Sequence, residues 1–396
     1  MGVLASREGV SRIQEALGEA SLDGWLLFEF HGHNPVASSM LELGHTTRRS
    51  FTLIPVDSDP VALVHRIETS AWREWPWETR TYAGWLEMEE MLADLLASCR
   101  TVAMEISPRS AVPTLDLVPS GIVGLVGRCG VRIVSSGDLV TRFHARWSPG
   151  QLEEHRKSAE ILARVAREAF ERAADAVKAG EPATEGALRR WLLDTMESLG
   201  VGVDADCIVA VGRRAADPHY APVGKGEIID ADTLLLIDLW GRPGPGEVAA
   251  DQTWMGYLGN ELPDEVEEVW AAVRDARDAV VAFLERRSRE GGEVRGFEAD
   301  DVARELIRER GFGDHFLHRT GHSIDTELHG SGPNLDNLET RDDRVLVPGV
   351  GFSVEPGIYI PDRIGVRSEI NVHWGEDGPE VTPNRPQREI FLLLHE

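Results

Sequence analysis

Five residues in the second half of the chain carry side chains that bind divalent cations: Asp238, Asp251, His322, Glu355 and Glu369. Four carboxylates and one imidazole can hold two such ions close together with a water between them, which is the donor set of metal-assisted hydrolysis. Each residue sits in a short stretch that restricts its direction. Asp238 interrupts the apolar run TLLLIDLW at 233–240. Burying a carboxylate there without a partner is costly, and a cation would offset that cost.

A turn segment, RPGPG at 242–246, follows, and Asp251 lies in the next extended run, 248–255. The two runs predict a hairpin. Side chains alternate along a strand, so with a symmetric turn two aspartates thirteen residues apart project from one face. The alternative reading pairs Asp238 with an arginine and leaves Asp251 in solvent. FLHRTGH at 316–322 and His329 supply three histidines beside glycines that permit tight backbone. One imidazole completes the ligand set, and the others bind substrate or shuttle protons. FSVEPGIY at 352–359 places Glu355 at the end of an apolar strand before a Pro-Gly turn, and GVRSE at 365–369 is the return strand. Glu355 and Glu369 thus form a second carboxylate pair across a hairpin, with Arg367 on the face of Glu369. An ordinary cross-strand ion pair, worth under ~1 kcal/mol, explains one such pair but not two similar hairpins.

The elements that must carry these residues fall into two domains, 1–147 and 148–396. In the first, short β-branched runs at 25–30, 50–55, 61–65, 101–106 and 131–134, with helical spacing at 86–98, predict a small α/β domain. SPGQ at 148–151 marks the boundary: a capping hydroxyl, proline at the first helical position and glutamine three residues after the cap. The helix it opens is expected over 151–179, and a second, capped by Thr184, over 185–199. Two more are expected at 263–289 and 299–310. The second domain therefore reads as α+β, a curved antiparallel sheet with helices on its outer face and the other face free for a site.

The chain has 396 residues, 42% hydrophobic and 27% charged, the composition of a soluble globular protein. No apolar run reaches membrane-spanning length, and residues 1–20 have helical spacing rather than the apolar block of a signal peptide, so a cytoplasmic location is expected. A formal net charge of −26 argues against nucleic acid and anionic membranes as partners. Cys99, Cys129 and Cys207 are odd in number and unpaired in spacing, which predicts reduced structural thiols. Trp72, Trp75, Trp77 and Trp85 cluster in the first domain, where packing or an interface accounts for them.

The order Asp, Asp, His, Glu, Glu, with GH at 321–322, EPG at 355–357 and GVRSE at 365–369, resembles the metallopeptidases of the pita-bread fold. These include the methionyl aminopeptidases, the Xaa-Pro aminopeptidases and the Xaa-Pro dipeptidases, or prolidases. The resemblance covers nearly the whole chain, because the Xaa-Pro branch also carries a creatinase-type N-terminal domain. It implies that Asp238, Asp251, His322, Glu355 and Glu369 bind two divalent ions (Mn, Co, Zn or Fe), with Asp251 and Glu369 bridging. It further implies active-site roles for His219 in the segment DPHY, His318, His329 and Arg367, and a homodimer. The mechanism expected from it is attack by a metal-bridging hydroxide, with Glu355 accepting the proton, His329 stabilising the oxyanion and His219 assisting the leaving amine. The substrate expected is a peptide cleaved after its N-terminal residue, of the Xaa-Pro type. A dipeptidase needs a cation for the substrate's C-terminal carboxylate, and Arg341 or Arg344 is the expected partner.

Three departures from the family pattern bear on specificity. The aspartates are thirteen apart rather than eleven, an even insertion that keeps both on one face. Trp254 stands where the family tends to have arginine, and Ser323, Ile324 and Asp325 follow His322 where glycine is common. Two rival functions share the scaffold: a metal-dependent hydrolase or lyase of a small non-peptide substrate, and a non-catalytic binding module. A creatinase-type mechanism does without the metal ligands, all five of which are present here.

Overall fold

The computed structural model describes residues 3–203 and 206–394. Its contacts divide the chain into two units, Met1–His144 and Ala145–Glu396. Trp147 belongs to the second, where its indole donates to the Ile324 carbonyl at 2.7 Å.

The first unit is a six-stranded mixed sheet with helices. Its strands are β1 (Gly24–Glu29), β2 (Ser50–Pro55), β3 (Val61–His65), β4 (Glu78–Tyr82), β5 (Thr101–Met104) and β6 (Arg132–Ser135), in the order β4-β3-β2-β1-β5-β6. The helices are α1 (Arg7–Glu19), α2 (Pro35–Leu41), α3 (Trp85–Leu96), α4 (Ser120–Arg128) and α5 (Gly137–Phe143). The expected strands are present within two residues. β4 reads ETRTY and is not among them, because a strand at a sheet edge tolerates charge and loses the apolar signal. Of the four tryptophans, Trp72, Trp75 and Trp77 pack against this unit's core, while Trp85 is 61% exposed.

The second unit opens with α6 (Pro149–Lys178), whose predicted capping box forms: Ser148 Oγ accepts from Gln151 N and the Gln151 side chain returns to Ser148 N. α7 (Glu185–Ser198) begins at the Thr184 cap. β7 (Ile208–Val211), β8 (Leu234–Gly241) and β9 (Ala250–Tyr257) make an antiparallel sheet, to which β16 (Phe391–Leu392) adds in parallel beside β9. Helices α8 (Asp264–Glu290) and α9 (Gly296–Glu309) follow. α9 starts three residues before its expected position, because Glu298 reaches back to the Arg295 amide at 2.7 Å. The second sheet joins β10 (Ser323–Ile324), β11 (Gly351–Val354), β14 (Ile370–Gly375) and β15 (Gly378–Thr382), and β12 (Gly357–Ile360) pairs with β13 (Ile364–Arg367).

Strand β8 is apolar on both faces, as a strand between two helical layers must be. Leu235, Ile237 and Leu239 pack with α6 and α7, while Leu234 and Leu236 pack with α8 and α9. Asp238 continues the face of Leu236 and is 6% exposed. Among the described residues no helix is long and apolar enough to cross a membrane, and all three cysteines are free.

Candidate metal centre

The β8–β9 ladder pairs Asp238 with Thr253 and Trp240 with Asp251. The two aspartates are therefore diagonal neighbours on one face, as the even spacing requires. Asp251 is fixed by Asn371, which exchanges two hydrogen bonds with its backbone at 2.9 and 2.8 Å. Asp251 is 5% exposed, so the reading that left it in solvent fails. The reading that paired Asp238 with an arginine holds in part: Arg367 donates to Asp238 Oδ2.

Glu355 and Glu369 flank a break in the second ladder, between the pairs Val354↔Ile370 and Gly357↔Arg367. The chain bends there on both strands, turning both carboxylates into the pocket. Ser353 Oγ donates to Glu355 Oε1 at 3.1 Å, and Thr253 Oγ1 donates to Glu369 Oε2 at 2.8 Å. Arg367 Nε in turn donates to Thr253 Oγ1 at 2.8 Å.

His322 enters from the loop before β10. Gly321 is required there, since a Cβ would lie 1.9 Å from the Ser353 carbonyl oxygen. The His322 Nδ1 faces the Ser323 carbonyl at 3.1 Å, so it carries the proton and leaves the Nε2 lone pair free. That Nε2 lies 3.3 Å from Asp251 Oδ2 and 3.6 Å from Glu355 Oε1. One ligand atom each from Asp251, His322 and Glu369 fall within 4.8 Å of one another.

The electrostatics are those of a site short of positive charge. Burial raises Asp238 to about 7, against the pull of Arg367. Burial and then the Asp251, Glu355 and Asp238 charges hold Glu369 well above the usual carboxylate range. Glu355 is buried too, yet His322, His318 and Arg367 bring it below its ordinary value. Burial lowers His322, but its two carboxylate neighbours outweigh this and raise it. Asp238 Oδ1 and Asp251 Oδ1 are buried with no hydrogen-bond partner among the described residues. Buried carboxylate oxygens are seldom left so, and a divalent cation fits both them and the free imidazole nitrogen.

The remaining expected residues line the same cavity of about 500 Å³: His219, His318, His329 and Arg367. His318 donates through Nδ1 to the Arg319 carbonyl at 2.7 Å, and its Nε2 faces the Tyr359 hydroxyl at 2.8 Å. His329 stands edge-on to His322, ring centroids 4.4 Å apart. His219 sits on a loop anchored by buried Glu185, which accepts from Tyr220 Oη, Val211 N and Glu227 N.

Two expectations need correction. Neither Arg341 nor Arg344 lines the cavity. Arg344 is spent on Asp342 and on the Ser331 and Gly332 carbonyls, and Arg341 lies over the Phe297 ring. Arg319 lines the pocket instead and makes no ion pair among the described residues. Trp254 is not beside the site: it is 3% exposed on the opposite face of β9, stacked near Phe391 and bonded to Gln252. Thr253, Ser353, Asn371, Tyr359 and Glu185 carry no sequence signal of the kind that marks the ligands, with one exception. Thr253 shares the face of Asp251 by alternation and could have been found that way.

Two antiparallel sheets covered by helices, converging on one cavity that gathers four carboxylates and one imidazole, define a metal-dependent hydrolase centre on the pita-bread fold. The family model of the M24 metallopeptidases matches residues 153–376, and the chain belongs to metallopeptidase family M24. The uncharacterised peptidase YqhT of Bacillus subtilis is 32% identical over 240 residues, 60% of this chain and 63% of that protein. The Xaa-Pro dipeptidase of Lactobacillus delbrueckii is 34% identical over 164 residues, 41% of this chain and 40% of its own. The chain thus aligns with less than two thirds of either relative. The crystal structure of dipeptidase PepE from Mycobacterium ulcerans superposes with a TM-score of 0.73 over 97% of this chain and 96% of that one, at 22% identity, which speaks for the fold.

Proposed function

We propose that the protein hydrolyses the peptide bond after an N-terminal residue, with Xaa-Pro dipeptides as its preferred substrates. The observation that carries this is the pair of buried oxygens with no hydrogen-bond partner among the described residues, Asp238 Oδ1 and Asp251 Oδ1, beside His322 Nε2, which points at the carboxylates of Asp251 and Glu355. Asp238, Asp251, His322, Glu355 and Glu369 would hold two divalent cations, of Mn, Co, Zn or Fe. When bound, such cations activate a water and polarise the scissile carbonyl.

The chain's own groups do the rest. Glu355, kept below its ordinary value, is ionised and accepts the proton released in the attack. His318 is lowered by burial and held by Tyr359, which itself bonds Arg367 at 3.2 Å. This chain of contacts fixes the wall against which the substrate carbonyl rests. His219, which lines the cavity on the anchored loop, would give the departing amine its proton. Arg319, which makes no ion pair among the described residues, takes the C-terminal carboxylate of a dipeptide, a charge-assisted contact that longer peptides cannot make in the same way. A cavity of about 500 Å³ suits a substrate of that size. A homodimer is part of the same reading, and sedimentation velocity tests it.

The deciding experiment is turnover of Xaa-Pro dipeptides and Xaa-Pro tripeptides against a panel of Mn²⁺, Co²⁺, Zn²⁺ and Fe²⁺, with metal content measured in parallel. Turnover of dipeptides that disappears in Asp251→Ala and Glu369→Ala together with bound metal supports the proposal. Stoichiometric metal with no peptide turned over shifts the function to a small non-peptide substrate. Metal content indifferent to both substitutions defeats it.

A further inference from the structure

The first unit holds a cavity of about 840 Å³ that shares no lining residue with the metal centre. In a chain of net charge −26, its wall carries Arg48, Arg49 and Arg128 against one acid, Glu89. Arg128 lies 3.9 Å from Glu89, whereas Arg48 and Arg49 make no ion pair among the described residues. His31 and His33 stand at the rim, with no hydrogen bond to either ring among the described residues, and His31 packs at 6.0 Å from His45. The floor is apolar, built from Phe28, Ile122 and Leu125, and Trp85 stands exposed at the edge.

The rim is held by a buried polar network. His31 and Gly32 both adopt left-handed backbone, φ 59° and 74°, a conformation that costs a non-glycine residue and persists only where the surroundings enforce it. The enforcement comes from Glu29, 4% exposed, whose carboxylate accepts from Gly32 N, from Asn34 N at 3.2 Å and from Ser38 Oγ at 2.9 Å. Asn34 donates to Glu105 Oε2 at 2.8 Å, and fully buried Glu105 also accepts from Trp25 Nε1 and Ser136 Oγ. Neither glutamate has a cation beside it among the described residues. Two buried carboxylates satisfied only by neutral donors are an expensive way to hold a surface loop. The expense is intelligible if the loop must present its imidazoles in one place.

We infer that this cavity is a second binding site, for an anionic small molecule with a ring-sized apolar body: an aromatic carboxylate or phosphate ester. The ring lies on Phe28, Ile122 and Leu125, and the anion meets Arg48, Arg49 and the rim imidazoles. The test is calorimetric titration of the 396-residue chain with phenyl phosphate, benzoate and inorganic phosphate. Saturable binding near one per chain is expected for the ring-bearing anions, with the stronger of phenyl phosphate and benzoate identifying the head group. Inorganic phosphate should bind at least tenfold more weakly. The doubly substituted Arg48→Glu/Arg49→Glu protein should lose at least tenfold in affinity, as should His31→Ala/His33→Ala, while Glu369→Gln should leave it unchanged. Thermal unfolding of each variant shows that it is folded. No saturable heat up to about 10 mM ligand overturns the inference, as does equal affinity in the arginine variant. So does a change from dimer to monomer in the arginine variant without any ligand binding in the parent, which would give the face to a second copy of the chain.

Discussion

Replacing Glu369 by glutamine separates a metal centre from an ordinary buried polar cluster, because the two give opposite signs of stability change. The variant is nearly isosteric and keeps an oxygen to accept from Thr253 Oγ1. In the metal-free protein it removes a charge whose ligand atom lies within 4.8 Å of that of Asp251. Coulomb's law at an effective dielectric of about 20 gives about 3.5 kcal/mol for unit charges at that separation. Proton uptake by Glu369, which is held well above the usual carboxylate range, caps the gain below that figure. The metal-free variant is therefore expected to be at least as stable as the parent. With Mn²⁺ at about a hundred times the parent's Kd, the parent gains about 2.7 kcal/mol, and the variant should gain less than about 1. Thermal unfolding with and without Mn²⁺ reads both differences, at roughly 2–4 °C per kcal/mol for a unit of this size. A variant that loses more than about 1 kcal/mol without metal, yet gains as much from Mn²⁺ as the parent, would refute the reasoning.

Three further outcomes are expected. Arg319→Met should lower kcat/KM for Xaa-Pro dipeptides by about tenfold to a hundredfold, the worth of a charge-assisted hydrogen bond of ~1.5–3 kcal/mol. Tripeptides should change less than about threefold, and steady-state kinetics on both series checks it. His155 is held at about 4 by burial between the Ala249 carbonyl and Thr382, against 6.5 in the unfolded chain. Between those values the unfolded state binds the proton and the folded state does not, so stability is full above pH 6.5 and falls as pH drops to 4. The loss is bounded at about 3.4 kcal/mol, and His155→Gln should flatten that stretch of a melting-temperature profile against pH. Trp254→Arg, which restores the residue the family tends to carry, should cost more than about 3 kcal/mol by burying a charge among Phe170 and Phe391. It should not improve peptide turnover per folded molecule.

How far the sequence can be read depends on how local the governing physics is. Alternation along a strand is enough to put Asp238 and Asp251 on one face, and the same rule, applied to the residues that follow Asp251, turns Trp254 away from the site. Caps do equally well: Ser148 with Gln151 and Thr184 set helix starts through contacts three residues apart. Edge strand β4 escapes because its charges hide the apolar signal. The partner for a substrate carboxylate is misplaced because Arg344 looks free in sequence. Only the folded chain brings Asp342 and two loop carbonyls around it.

By itself, then, the chain's linear order determined the capped starts of α6 and α7 and the even spacing that sets Asp238 and Asp251 on one face, since each follows from spacing of a few residues. Tertiary structure alone decided that Arg367 reaches across 129 residues to Asp238, that Thr253 links Arg367 to Glu369, and that Arg319 rather than Arg341 or Arg344 joins Arg367 in lining the pocket. These depend on how two sheets converge, and no local period encodes where one sheet's side chains meet those of another.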